Sequence, residues 1–295
     1  MLGILLIIGF CAIAPLGDSM AKLLGPFPLV ELLVIRFGVQ TLLLLPIVWS
    51  TGRSLAMSRR VFGLTALRTV FHISGSALMF VALWFMPVAD VVAITFVLPF
   101  IMLLLGRVFL GEDVGRERLT ACAIGFVGTL LVIQPSFAVV GWPALLPLGV
   151  ALSFAFYQLV SRQTARDNDP ISLQVVSGMI ATVGLTAALL ALNGTALTMF
   201  ELKAPNGREL WLLAAISGIG TFAHLLLTWA FRYAPSATLA PMQYVEIPFA
   251  TLAGWLIFSD LPNAPAALGI AITMAAGLYI VFRERAAARP VPAEV

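Results

Sequence analysis

Apolar stretches of about 20 residues recur along this chain from one end to the other. A stretch of that length crosses the ~30 Å hydrocarbon layer of a membrane as an α-helix, because each residue advances the helix by ~1.5 Å. Ten such segments are expected, over residues 2–22, 28–50, 61–85, 88–109, 119–135, 143–164, 171–192, 209–231, 236–258 and 265–282. The breaks carry turn chemistry, as in Gly25-Pro26-Phe27-Pro28, Met86-Pro87, Asp167-Asn168-Asp169-Pro170, Asn206-Gly207 and Asp260-Leu261-Pro262. The longest break, about 193–208, leaves no room for a soluble domain between spans. Only 11% of the 295 residues are charged, against ~25% in an average soluble domain. Mean hydropathy is +1.03. Together these exclude a soluble enzyme, a nucleic-acid reader and a disordered chain. The first apolar run has no basic stretch before it, so it is read as a first span and not as a cleaved signal.

Charge placement predicts the orientation. With the N-terminus in the cytoplasm, twelve arginines fall at the inner side: 53, 59, 60, 107, 116, 118, 162, 166, 232, 283, 285 and 289. The outer loops hold Lys203 and Arg208 only. An even number of spans then puts the N- and C-termini on the cytoplasmic side of a bacterial inner membrane.

The two halves match weakly but repeatedly. At an offset of 149, Pro99-Phe100 falls on Pro248-Phe249 and Gly128 on Gly277. At an offset of 140, Gly9 falls on Gly149, Asp18 on Gln158 and Lys22 on Arg162. These matches predict a duplicated five-helix unit: repeat 1 over 1–138, repeat 2 over 139–284, and a cytoplasmic tail over 285–295. Five is odd, so the second copy sits upside down. The expected fold is an all-α polytopic membrane protein of ten transmembrane helices in two inverted repeats. Carriers that work by alternating access are built this way, with their site near mid-membrane.

An ionisable side chain at the centre of a span costs ~2.5–3.5 kcal/mol, so it faces a cavity or a partner. Glu246 lies near the centre of the ninth segment, beside Gln243, Tyr244 and Pro248. It is a candidate to hold a substrate ammonium or a proton, or to serve as a structural partner for a neighbouring arginine. Thr65, Arg68, His72 and Ser76 form a polar stripe on the third segment, and Ser217, Thr221, His224 and Thr228 form one on the eighth. Facing stripes would line a hydrated path; the alternative is interhelical hydrogen bonding. Arg68 would bind an anionic group, pair with Glu246 or snorkel to the inner surface. Tyr157, Gln158 and Trp229 are candidate cavity walls, with Trp229 also fitting the interfacial aromatic belt. Asp18, Lys22, Glu31 and Arg36 are expected to neutralise one another as a network, or to form an outer gate. Asp90 and Glu112 are read as caps or gate contacts. Pro99 and Pro248 are expected hinges, at the middles of the fourth and ninth segments. Small residues at 121, 125, 269, 273 and 277 are expected to pack helices tightly, as scaffold or dimer contacts.

The order of short motifs carries a resemblance. Ala82-Leu83-Trp84-Phe85-Met86-Pro87-Val88-Ala89-Asp90 is followed by Phe96-Val97-Leu98-Pro99-Phe100 and Phe109-Leu110-Gly111-Glu112. Gly125 through Pro135 completes the pattern, and a degraded copy runs from Phe231 to Gly277. The chain resembles the EamA-type branch of the drug/metabolite transporter superfamily, and within it bacterial amino acid exporters, the YddG-type aromatic amino acid exporter among them. The resemblance implies a secondary transporter exporting aromatic or hydrophobic amino acids across the cytoplasmic membrane. Uptake carriers for S-adenosylmethionine or riboflavin share the repeats, and a passive facilitator is a further alternative. No phosphate-binding loop, His-Glu-x-x-His motif or aspartate-rich pyrophosphate motif is present. No cofactor, metal, nucleic-acid partner or enzymatic activity is therefore expected. The expected partners are the bilayer, a small-molecule substrate and protons, with the chain acting as a monomer.

Overall fold

The protein is described by a computed structural model covering residues 2–259 and 263–287. The turn expected at Asp260-Leu261-Pro262, residues 288–295 with Arg289, and the side chains at 132–140, 277, 283 and 285 lie outside the described residues. Among the described residues the chain is helical, with no strand. The elements are α1 (Leu2–Leu24), α2 (Leu29–Ser50), α3 (Arg59–Phe85), α4 (Val88–Thr95), α5 (Leu98–Leu110), α6 (Arg116–Val140), α7 (Leu146–Ala165), α8 (Pro170–Leu192), α9 (Gly207–Tyr233), α10 (Ser236–Met242), α11 (Glu246–Phe258) and α12 (Ala264–Ala287). Six helical stretches are long and apolar enough to cross a membrane: 2–24, 29–50, 59–85, 142–165, 170–192 and 207–233.

Two expected spans are not continuous. The segment 88–109 breaks after Thr95, and 236–258 breaks at a 3-10 turn over Gln243–Val245. Proline explains both positions. A proline ring clashes with the carbonyl four residues earlier and supplies no N–H to it. For Pro99 that residue is Thr95, and for Pro248 it is Tyr244, so each helix gives way there. Each proline then occupies the first turn of the following helix, where a missing N–H costs nothing. The two following helices end alike, in left-handed caps at Gly111 (φ 62°) and Ser259 (φ 59°).

Local signals set the other ends. Asn206 and Glu209 close a capping box on α9. Asp169 caps α8 by accepting from Ser172 N–H, with Pro170 at the first helical position. The same Asp169 pairs with Arg53 of the α2–α3 turn.

The helices interlock across the two halves. Helix α1 packs on α9 as α3 packs on α7, and α2 packs on α8 as α6 packs on α12. The broken segments cross reciprocally, α4 against α11 and α5 against α10. Of the small residues expected to pack helices tightly, Gly269 and Thr273 of α12 lie against α6: a Cβ on Gly128 would come within 2.7 Å of the Gly269 carbonyl oxygen and 2.9 Å of Thr273 Cγ2.

Candidate functional site

A cavity lies among α1, α2, α3, α4, α7, α9 and the α10–α11 break. Its charged lining is Asp18 from α1, Arg36 from α2 and Glu246 from α11. Neither carboxylate makes a hydrogen bond or ion pair with a described residue. Arg36 is held from behind: Nη1 donates to Ser76 Oγ (2.9 Å) and lies 3.4 Å from His72 Nε2. Phe37 and Phe80 flank its guanidinium at 5.2 and 5.8 Å. Gly220 makes room for it, since a Cβ there would sit 3.2 Å from Nε and Nη2.

The remaining walls are apolar and amide. Phe10, Phe80, Phe96 and Phe154 supply rings. Gln158 and Gln243 exchange two amide hydrogen bonds, Nε2 to Oε1 each way, at 3.0 and 2.9 Å. That pair joins α7 to the α10–α11 break, whose interrupted helix leaves the Met242 and Gln243 carbonyls facing the Cys11 thiol at 3.9 Å. The interruption thus places Gln243 and Glu246 on the cavity together.

Several candidates stand behind this first layer. His224 lines the cavity, its ring 4.2 Å from that of His72. His72 itself is fully buried, against Tyr157 at 4.6 Å and Phe37 at 5.0 Å. One turn further along α3, Arg68 is sealed in a nest of hydroxyls. Nε donates to Ser161 (2.6 Å), Nη1 to Ser177 (2.8 Å), and Nη2 to Tyr157 (2.9 Å) and Thr228 (3.0 Å). The expectation that Arg68 pairs with Glu246 or snorkels is therefore corrected. It is 0% exposed, and the partners its nitrogens find are neutral.

Other candidates point elsewhere. Tyr244 turns from the cavity to α6, donating to the Cys122 carbonyl (3.1 Å) and covering Gly125. Thr221 donates to the Ser217 carbonyl (2.7 Å) in its own helix, and Trp229 packs beside Leu44 and Val48. Of the eighth-segment stripe, only His224 lines the cavity. The network expected among Asp18, Lys22, Glu31 and Arg36 is divided. Lys22 Nζ donates to the Met86 carbonyl (3.0 Å) and lies over Phe258, and Glu31 accepts from Lys203 N–H (2.9 Å). Asp18 and Arg36 instead join the cavity. Sequence reasoning placed them in a mutually neutralising network or an outer gate, yet the offset that aligns Asp18 with Gln158 already pointed inward.

A second polar cluster closes the arginine-rich end. Glu112, just beyond α5, accepts from Arg162 Nε (3.2 Å), Ser236 N–H (3.2 Å) and Ala237 N–H (3.0 Å). Arg162 also donates to the Phe231 carbonyl (2.6 Å). Lys22 on the Met86 carbonyl is its counterpart at the other end, each cation capping the carbonyl end of a long helix.

An all-helical membrane protein whose broken helices meet at a charged internal cavity belongs to the class of multi-pass small-molecule carriers. A sequence profile of the EamA-like transporter family matches residues 1–134 and 141–283, and the chain belongs to that family. A riboflavin transporter of Rhizobium johnstonii is 31% identical over 198 residues, 67% of this chain and 63% of that protein's length. An S-adenosylmethionine uptake transporter of Rickettsia felis is 26% identical over 92% of this chain and 89% of its own. A pseudopaline exporter of Pseudomonas aeruginosa is 27% identical over 86% and 84%. A solved crystal structure at 18% identity superimposes with a TM-score of 0.71 over 97% of this chain and 98% of its own, a likeness of fold alone. The homologues are transporters and not enzymes.

Proposed function

We propose that the chain is a secondary transporter of ten transmembrane helices, built as inverted repeats over 1–138 and 139–284, that moves small amphipathic metabolites by alternating access. The observation that carries this reading is the cavity, where Arg36 shares the lining with Asp18 and Glu246, two carboxylates that hydrogen-bond to no described residue, among aromatic rings. The reciprocal packing of the two halves and the twofold match of the family profile support the duplication. An amino acid head suits the site: its carboxylate on Arg36, its ammonium on Asp18 or Glu246, its side chain among Phe10, Phe80, Phe96 and Phe154. Export of aromatic or hydrophobic amino acids from the cytoplasm is the direction we favour. Uptake of a flavin or an S-adenosyl compound is the second reading, supported by the relatives' names.

Alternating access would bend the broken segments at Pro99 and Pro248, with protons or the substrate's own gradient as the driving force. Under the inner-membrane orientation, Glu112 and Arg162 close the cytoplasmic mouth in this state. The deciding experiment is flux into proteoliposomes with and without an imposed pH gradient. Counterflow of a labelled metabolite is expected; uniform diffusion with no counterflow would make the protein a passive pore.

A further inference from the structure

The charges of the cavity do not balance, and the imbalance describes the cargo. Two carboxylates, Asp18 and Glu246, line the cavity with one guanidinium, Arg36, and Asp18 is within electrostatic reach of both Arg36 and Glu246. The other buried cation, Arg68, is not on the cavity wall; its nitrogens are turned to Ser161, Ser177, Tyr157 and Thr228. His224 reaches the wall and His72 stands behind it, both with Nδ1 unpartnered. An amino acid head satisfies Arg36 with its carboxylate and one acid with its ammonium. One acid is left over, in surroundings where an unpaired charge is costly. It must meet a proton or a second cation. The rings of Phe10, Phe96 and Phe154 on the same wall favour a cation spread over a flat or polarisable group, since ring faces attract such charges.

We infer that the cavity takes an amino acid whose side chain carries a second positive charge on a flat or apolar body. This rests on the reading of the cavity as the transport site. It departs from the aromatic or hydrophobic amino acid favoured above in one respect: the head group alone leaves one acid of the cavity without a cation.

Matched probes separate charge from shape. S-adenosylmethionine and S-adenosylhomocysteine differ by one methyl group and the sulfonium charge it creates. L-arginine and L-citrulline are near-isosteres of different charge. Calorimetric binding to the full chain in nanodiscs at pH 7 is expected to favour the cationic member of at least one pair by tenfold or more. In Asp18→Asn or Glu246→Gln that preference falls below tenfold. A preference below tenfold in both pairs of the wild-type protein overturns the inference, including the case in which no probe binds. So does binding of a neutral member with uptake of one proton, seen as a dependence of the heat on the buffer. The wild-type comparison stands even if a variant fails to fold. Selective binding of a cationic probe without its counterflow in proteoliposomes would sink the transport reading and leave the charge count intact. Counterflow of a neutral probe with no cation preference would do the reverse.

Discussion

Arg68 shows how a cation can be kept inside a membrane protein with neutral partners. A guanidinium spreads its charge over a planar fork of five N–H groups. Three serine and threonine hydroxyls and one tyrosine, from α7, α8 and α9, meet that fork. An ammonium is a single point and cannot meet four hydroxyls in those directions. Arg68→Lys is therefore expected to lower stability by about 2 kcal/mol through unmet hydroxyls and a poorly solvated charge. Thermal unfolding of the purified protein checks this, and a melting temperature equal to wild type would show the nest to be dispensable. The stripe carrying Arg68 was visible as a 3-4-4 spacing on the third segment. What spacing does not show is which neighbour a buried face meets. Of the two readings of its stripe, a hydrated path or interhelical hydrogen bonding, Thr228 takes the second and closes the nest. Tyr244 stands beside Glu246 in the sequence, whereas its direction, toward the small Gly125, decides its role.

At the scale of elements, the broken segments matter most. Their prolines were legible in the sequence. The sequence did not reveal that Ser259 adopts the left-handed conformation that Gly111 adopts without a Cβ. For a residue with a Cβ that conformation costs ~1–2 kcal/mol. Ser259→Gly is expected to stabilise the protein by about 1 kcal/mol, and Gly111→Ser to destabilise it by a similar amount. Chemical denaturation of both variants measures this, and equal midpoints would dismiss the strain.

Glu112 binds the first half to the second through Arg162 and the start of α10. A double-mutant cycle over Glu112→Gln and Arg162→Met is expected to give a coupling of about 1–3 kcal/mol, the range for contacting residues in one hydrogen-bonded network. A coupling near zero would remove the contact from any role in closing the arginine-rich end. Glu112 was expected as a cap or gate contact. Its three partners lie 50, 124 and 125 residues away, and no local pattern identifies them.

For the whole molecule, the arginine asymmetry makes a sided prediction. Cysteine at Gly194 should react with a membrane-impermeant thiol reagent in intact cells, and cysteine at Ser54 should react only after the cells are opened. The native Cys11 and Cys122 are buried and should stay silent in both cases. Reversed labelling would invert the topology and place the Glu112 contact on the outer face. The helical membrane class and the places where the helices break could be read from segment length and turn residues, because the bilayer and the backbone impose those. The cavity's charge set could not. It is assembled from α1, α2 and α11, and its members are separated by as many as 228 positions.

The reciprocal packing of α1 on α9 and of α3 on α7 carries one last consequence. Each of the helices α1, α2, α3, α6, α7, α8, α9 and α12 takes its most extensive partner from the opposite half. Two polypeptides severed near Gly141 and produced together should reassemble into a working whole, while either fragment alone should be cleared by membrane proteases.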